Sequence, residues 1–136
     1  MKILFVCKRN VGRSQMAAKL YSRYFGKNAN SAGIEVLKNE GQKLYDIPLA
    51  EPVIRFIKKE GIEVANNART QLTSEMIKQF DKIIVIAEPE IILEYLKNNH
   101  KVEFWNIENP KNINDYGYKN IISQIKDKVR TLLLSH

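Results

Sequence analysis

At 136 residues the chain has the length of one domain, 1–136, and its 44% apolar content suffices for a packed core. Its single cysteine excludes a disulfide framework and a cysteine-based zinc cluster, and no stretch approaches the roughly 20 apolar residues of a membrane helix. The formal charge of +7 favours anionic partners, but Lys and Arg are scattered without long runs or a nucleic-acid motif, so small anions are expected rather than nucleic acid or a membrane.

Ile3-Leu4-Phe5-Val6 is a short continuous apolar run, the pattern of a strand buried on both faces. It is too short for a signal-peptide core and is followed at once by Cys7-Lys8-Arg9, which points to a soluble, unexported, cytoplasmic protein. From Ser14 onward Met16, Ala17, Leu20, Tyr21 and Tyr24 recur at helical spacing, and Gly26 is a natural stop. Asn30 to Ile34 reads as a second short strand, and residues 35–51, with Gly41 and Pro48, as irregular. Pro52 can open a helix that carries Val53, Phe56 and Ile57 inward and ends at Gly61. Thr73 is placed to cap a helix with Met76, Ile77 and Phe80 on one face.

Ile83 to Ala87 is the second strongly apolar run, after which Pro89 can open a helix with Ile91, Ile92, Tyr95 and Leu96 on one side. Val102 to Trp105 alternates, as an outer strand does, and Trp105 reads as core rather than cleft lining. From Tyr118 to Leu134 a stripe of Ile121, Ile122, Ile125, Val129 and Leu132 predicts a final helix. Apolar strands separated by amphipathic helices predict an α/β fold built on a parallel sheet covered on both faces. Ligands of such sheets bind beyond the carboxyl ends of the strands, and the first strand ends one residue before the only cysteine.

The segment from Cys7 to Ser14 therefore carries the chemistry. A short loop wrapping into a helix start aims backbone N–H groups at one spot and makes an anion site there. The same positive field favours thiolate at Cys7, the form that attacks phosphorus. Arg13 follows after five residues and can return over the loop as a bidentate clamp on two oxygens. Between them Lys8, Arg9, Asn10, Val11 and Gly12 form the oxyanion-binding loop, with Gly12 giving freedom for close approach. The Ser14 hydroxyl can donate to the sulfur and stabilise thiolate as nucleophile and as leaving group. His100 and His136 lie far apart in sequence and read as solvated; neither metal nor cofactor is expected.

This segment resembles the phosphate-binding loop of the low-molecular-weight protein tyrosine phosphatase superfamily, which includes a branch of arsenate reductases. The family pattern is Cys-x-Gly-Asn-x-Cys-Arg-Ser, and Cys7, Asn10, Arg13 and Ser14 match it. Gln15-Met16-Ala17 is similar to the arsenate reductase side, Ser31-Ala32-Gly33 to a recurrent family segment, and Thr73 to Ala87 to the family's helix and third strand. Asn109-Pro110 falls where the family has its Asp-Pro loop. The resemblance implies a three-layer α/β/α fold with a four-stranded parallel sheet and the phosphate-binding loop after the first strand.

Three departures matter. Arg9 stands at the family's Gly and Gly12 at its second Cys; Arg9 either adds positive charge at the anion or points to solvent, the latter being favoured. The third is Asn109. The resemblance implies an aspartate there that protonates the leaving oxygen and then activates water, which an amide cannot do. Glu108 and Asp115 are the candidate substitutes, with no substitute as the remaining alternative. After Pro110 come Lys111 and Asn112 rather than aromatics, so phosphotyrosine specificity is not supported there.

The resemblance and the loop together imply a cysteine-dependent phosphomonoester hydrolase acting through a phosphocysteine on a phosphorylated protein or small phosphate ester. The alternative is arsenate reduction, which with one cysteine needs an external thiol. A further alternative, motivated by Asn109, is a non-catalytic oxyanion-binding protein.

Overall fold

A computed structural model of the chain describes residues 1–27, 29–88, 94–107 and 114–134. Four parallel strands form one sheet: β1 (Ile3–Cys7), β2 (Asn30–Gly33), β3 (Lys82–Ile86) and β4 (Val102–Trp105), in the order β2-β1-β3-β4. The helices are α1 (Arg13–Phe25), α2 (Glu51–Lys58), α3 (Ser74–Gln79) and α4 (Asp115–Leu134). The four-stranded parallel sheet expected from the sequence is present, with the cysteine closing β1.

Both central strands are buried on both faces, which is why their sequences are unbroken apolar runs. On one face Ile3 and Phe5 of β1 join Ile84 and Ile86 of β3 in a core with Met16 and Leu20 of α1 and Ile121, Ile125 and Val129 of α4. On the other, Leu4 and Val6 join Ile83 and Val85 under Leu72, Ile77 and Phe80. Burial of each such side chain is worth about 1.5–3 kcal/mol relative to exposure. Trp105 lies in the first of these cores, its ring tilted 58° to Phe5 at 5.8 Å, as expected.

The pairing of Cys7 with Gly33 and of Val6 with Val85 fixes where the strand ends lie. The chain passes from β1 outward to β2 and then returns to the other side of β1 to make β3. The order therefore reverses between β1 and β3, and a crevice opens beyond their carboxyl ends.

The sequence expectations need a few adjustments. Residues 35–51 hold three short 3₁₀ turns, at Leu37–Asn39, Leu44–Asp46 and Pro48–Ala50, rather than irregular chain alone. Helix α2 begins at Glu51 with Pro52 in its first turn, where a missing N–H costs nothing. Tyr24 does not continue the buried stripe of α1; it is 37% exposed, and the Arg130 guanidinium lies 5.4 Å from its ring centre. The Thr73 hydroxyl caps α3 by accepting from the Met76 N–H, as expected. The helix expected from Pro89 with Ile91 and Ile92 lies outside the described residues; beyond them Glu94–Leu96 is a 3₁₀ turn in which Leu96 is buried and Tyr95 faces outward.

Candidate active site

Cys7 is the last residue of β1 and α1 begins at Arg13, so residues 8–12 must turn the chain through the crevice. Asn10 makes this turn by adopting a left-handed backbone, φ +57°, which Asn tolerates better than most residues. Its side chain is buried and fully used. The Asn10 amide group donates to Ser14 Oγ at 2.8 Å and to Ser31 Oγ at 3.0 Å. Its oxygen accepts from the Thr70 N–H at 2.8 Å and from Gln15 Nε2 at 3.3 Å. Two donors and two acceptors satisfy the whole capacity of the amide. The Thr70 N–H can only donate, so it also fixes which end of the amide is oxygen.

Because Ser14 Oγ already accepts from Asn10, its own proton is free to point at Cys7, whose Sγ lies 2.9 Å away. The sulfur is thus addressed by an oriented hydroxyl at the bottom of the loop. Helix α1 starts behind it with Gly12 at the N-cap position, no side-chain cap and no acidic residue in the first turn. A helix start left in that state is suited to an anion.

Arg13 is 2% exposed, and it is held from behind. Its Nη1 donates to Glu88 Oε1 at 3.1 Å and to the Ile107 carbonyl at 3.0 Å. Glu88 lies just beyond the end of β3 and Ile107 just beyond β4, so two strand ends and the start of α1 meet at this guanidinium. Among the described residues Nε and Nη2 are not used, and those are the two that present parallel N–H bonds to a bidentate acceptor.

A second arginine supports the loop. Arg69 Nε donates to the Arg9 carbonyl at 3.0 Å and Nη1 to Gln42 Oε1 at 2.9 Å. Burial pushes the Arg69 guanidinium below its ordinary value; the neighbouring Arg9 charge adds to this, while Cys7 works against it. Gln15 ties in the far side, donating to the Asn10 carbonyl at 3.1 Å and accepting from Asn67 Nδ2 at 3.0 Å. Gly33 lies flat against the loop, since a Cβ there would stand 2.8 Å from the Asn10 nitrogen and 2.9 Å from the Arg9 carbonyl carbon.

The family model for low molecular weight phosphotyrosine protein phosphatases matches residues 2–135. The chain belongs to that family. This family member is accordingly a cysteine-based phosphatase. Its fold is similar to that of the low molecular weight protein tyrosine phosphatase from T. tengcongensis, at 24% identity over 100% of this chain and 99% of that one, with a TM-score of 0.82. It is also similar to Vibrio vulnificus Wzb in complex with benzylphosphonate, at 21% identity over 99% and 98% of the two chains, with a TM-score of 0.84. An arsenate reductase from Archaeoglobus fulgidus matches at 28% identity over 96% and 98%, with a TM-score of 0.74.

In this phosphatase family member the loop residues singled out from sequence come together: Cys7, Asn10 and Ser14 form one buried hydrogen-bonded unit, and Arg13, also buried, is held separately by Glu88 and the Ile107 carbonyl. Gly12 is buried and Val11 half-buried. Lys8 is half-buried, its Nζ 3.9 Å from Glu35. The Arg9 side chain is exposed, as favoured. Asp115 is not drawn to the loop: it opens α4, its side chain is 74% exposed, and Oδ1 sits 3.8 Å from Arg55 Nη2. Glu108, Asn109 and Pro110, with Lys111 and Asn112, lie outside the described residues.

Sequence reasoning missed Arg69, Glu88, Thr70 and the tying role of Gln15. Glu88 was within reach of the rule already applied to Cys7, because it follows a buried strand by two residues. Arg69 and Thr70 gave no local signal; each meets the loop across 60 residues of sequence. Among the described residues no helix is long and apolar enough to cross a membrane.

Proposed function

We propose that Cys7 is the nucleophile of this phosphatase and that its substrates are phosphorylated proteins, phosphotyrosine foremost. The thiolate attacks phosphorus, forming the S–P bond as the bond to the leaving oxygen breaks. Water then attacks the phosphocysteine and releases phosphate and the Cys7 thiolate. Arg13, with Nε and Nη2, takes two equatorial oxygens, and the loop from Lys8 to Gly12 takes the remaining charge. The single observation that carries this reading is the 2.9 Å approach of Ser14 Oγ to Cys7 Sγ, with Asn10 donating into the same hydroxyl. It gives the sulfur a donor that strengthens whenever sulfur is an anion, both before attack and when phosphate leaves. The family match supports the reaction class, and the benzylphosphonate held by the Vibrio protein supports an aryl substrate.

The catalytic acid is assigned to none of the named carboxylates. Asp115 is turned toward Arg55, and Glu108 keeps its candidacy on sequence alone. Substrates whose alcohol leaves readily should therefore turn over best. We also place the protein in the cytoplasm, where a lone reactive thiolate stays reduced, and treat 1–136 as one domain about one sheet. The test is hydrolysis of p-nitrophenyl phosphate across pH by the wild type and by Cys7→Ser. A burst of nitrophenol in the wild type and none in the variant is expected. Turnover retained by Cys7→Ser overturns the assignment.

One observation favours a second reading, the 28% identity to an arsenate reductase. Arsenate is tetrahedral and fits the same cradle, and the sequence supplies no second cysteine to resolve a Cys7–arsenic adduct. An external thiol must then do so. Arsenate turnover with glutathione or thioredoxin, in the absence of ester hydrolysis, selects this reading. Phosphate binding with neither activity selects the non-catalytic one.

A further inference from the structure

Beside the loop, at Arg9, the described surface holds an open cleft of about 610 Å³. Arg9, Lys38 and Arg69 line it, with Val36 and Leu37 as its apolar wall and Glu35 as its carboxylate. The charges do not balance. Glu35 has Lys8 as its partner at 3.9 Å. Among the described residues neither Arg9 nor Lys38 has a carboxylate within ion-pair distance, and both side chains are exposed.

Arg69 is the more telling residue. It is only 7% exposed, yet the two groups it reaches, the Arg9 carbonyl and the Gln42 side-chain oxygen, are neutral. Buried guanidinium groups are ordinarily paired with an anion, because removing the charge from water is costly. Here the pairing is missing among the described residues, and the group opens on a cleft with two further cations. It sits against the loop itself, its Nε donating to the Arg9 carbonyl two residues after Cys7. A phosphate on Cys7 and an anion against Arg69 are thus neighbours, held by different groups.

We propose that this cleft binds a second anionic group of the substrate, so that the preferred substrates are phosphotyrosyl segments with an acidic residue flanking the phosphotyrosine. This rests on the phosphatase reading above. An extended peptide segment suits the site better than a small ion does, since the cleft is wide, open, and apolar along Val36 and Leu37. Arg9 and Lys38 meet the carboxylate at the rim and Arg69 meets it at the base. Rim charges act mainly through encounter and salt dependence, and each exposed pair is modest, so the combined preference should be about five- to tenfold.

The test uses Cys7→Ser protein and three peptides that differ only in having Glu, Ala or Lys beside phosphotyrosine, with Kd read by calorimetry. The Glu peptide is expected to bind about five- to tenfold more tightly than the Lys peptide, with the gap closing as salt is raised. Adding Lys38→Glu should shrink or invert that ratio, and Lys38→Ala should bring it halfway. Equal Kd values for the three peptides, a ratio untouched by Lys38→Glu, or no binding of any peptide overturns the proposal. Wild-type turnover of p-nitrophenyl phosphate, measured alongside, reports on the phosphatase reading alone. If that turnover is absent the phosphatase reading fails, while the peptide ratios still decide the cleft.

Discussion

Arg13 and Glu88 form an ion pair of 3.1 Å that joins the start of α1 to the end of β3, with the Ile107 carbonyl completing the grip on the same nitrogen. The pair is asymmetric. Arg13 is almost wholly buried, whereas about a third of the Glu88 side chain meets solvent. Glu88 thus orients the guanidinium from its far edge and leaves the near edge for substrate. Glu88→Ala should lower kcat for p-nitrophenyl phosphate about tenfold, the cost of an unheld charged hydrogen-bond donor. Arg13→Lys should lose at least about 100-fold, because an ammonium cannot make the parallel pair of bonds. Steady-state kinetics on both variants, with melting curves to confirm folding, check the order. Equal losses would show that Glu88 does more than orient.

Ser14→Ala removes the donor at the sulfur and leaves one Asn10 N–H without its hydroxyl acceptor. Hydrogen bonds to charged groups are worth about 1.5–3 kcal/mol, so kcat should fall about 10- to 100-fold. The loss should show most in the step after the burst, where the thiolate is the leaving group. Rapid-quench measurement of the burst and the following steady rate separates the two. A variant slowed in the burst alone contradicts the assigned role.

Gly33→Ala probes the contact between β2 and the loop. The new Cβ would stand 2.7 Å from Val36 Cγ2, 2.8 Å from the Asn10 nitrogen and 2.9 Å from the Arg9 carbonyl carbon. Two of these three are backbone, so the loop must shift rather than a side chain rotate. Overpacking of this kind costs about 1–3 kcal/mol. Urea unfolding should show that loss, and phosphate inhibition should weaken in parallel. Lost stability with unchanged phosphate affinity would place the strain elsewhere.

The parts of the fold set by local pattern were readable in advance. Two unbroken apolar runs gave β1 and β3, and the stripe of Ile121, Ile125 and Val129 gave α4, because burial on both faces or on one face leaves a period in sequence. Cys7, Asn10, Arg13 and Ser14 were readable for a related reason: all four lie in one short stretch running from the end of β1 into the first turn of α1. What supports them was not. Thr70, Arg69 and Glu88 contribute a backbone N–H or one polar group each from segments 60 or more residues away, with no period and no neighbouring partner. Tyr24 failed differently. Helical spacing placed it with Leu20 and Tyr21, but it sits at the edge of the stripe, where Arg130 covers the ring instead of the core.

Glu103 of β4 gives a pH dependence to stability. Burial raises its pKa by disfavouring the carboxylate, but hydrogen bonds from Trp105 and Lys82 outweigh this and hold the carboxyl below the usual range. A carboxyl depressed in the folded state stabilises it above the unfolded value, and that stabilisation is lost as pH falls toward the folded one. Between about pH 5 and pH 3 the wild type should therefore lose stability more steeply than Glu103→Gln. Urea midpoints for both proteins across that interval measure the difference. Parallel curves would mean that the Trp105 bond at 2.6 Å contributes no linkage.

Asn109→Asp tests how the leaving group departs. The amide has no proton to give and no basic site for water, so with no substitute acid the wild type relies on the intrinsic stability of the departing oxyanion. Nitrophenolate leaves readily without help, while phenolate and alkoxide do not. A carboxyl at position 109 should therefore raise kcat/KM little for p-nitrophenyl phosphate and about 10²- to 10⁴-fold for phenyl phosphate, the usual range of general acid assistance. The comparison is internal, because both substrates meet the same Cys7 and Arg13. It also separates Glu108 from no acid at all: Glu108→Gln in the wild type should leave both rates alone if the site works unassisted. An equal gain for both substrates would point to a change in binding rather than in proton transfer. No gain for phenyl phosphate would mean that the wild type already has an acid.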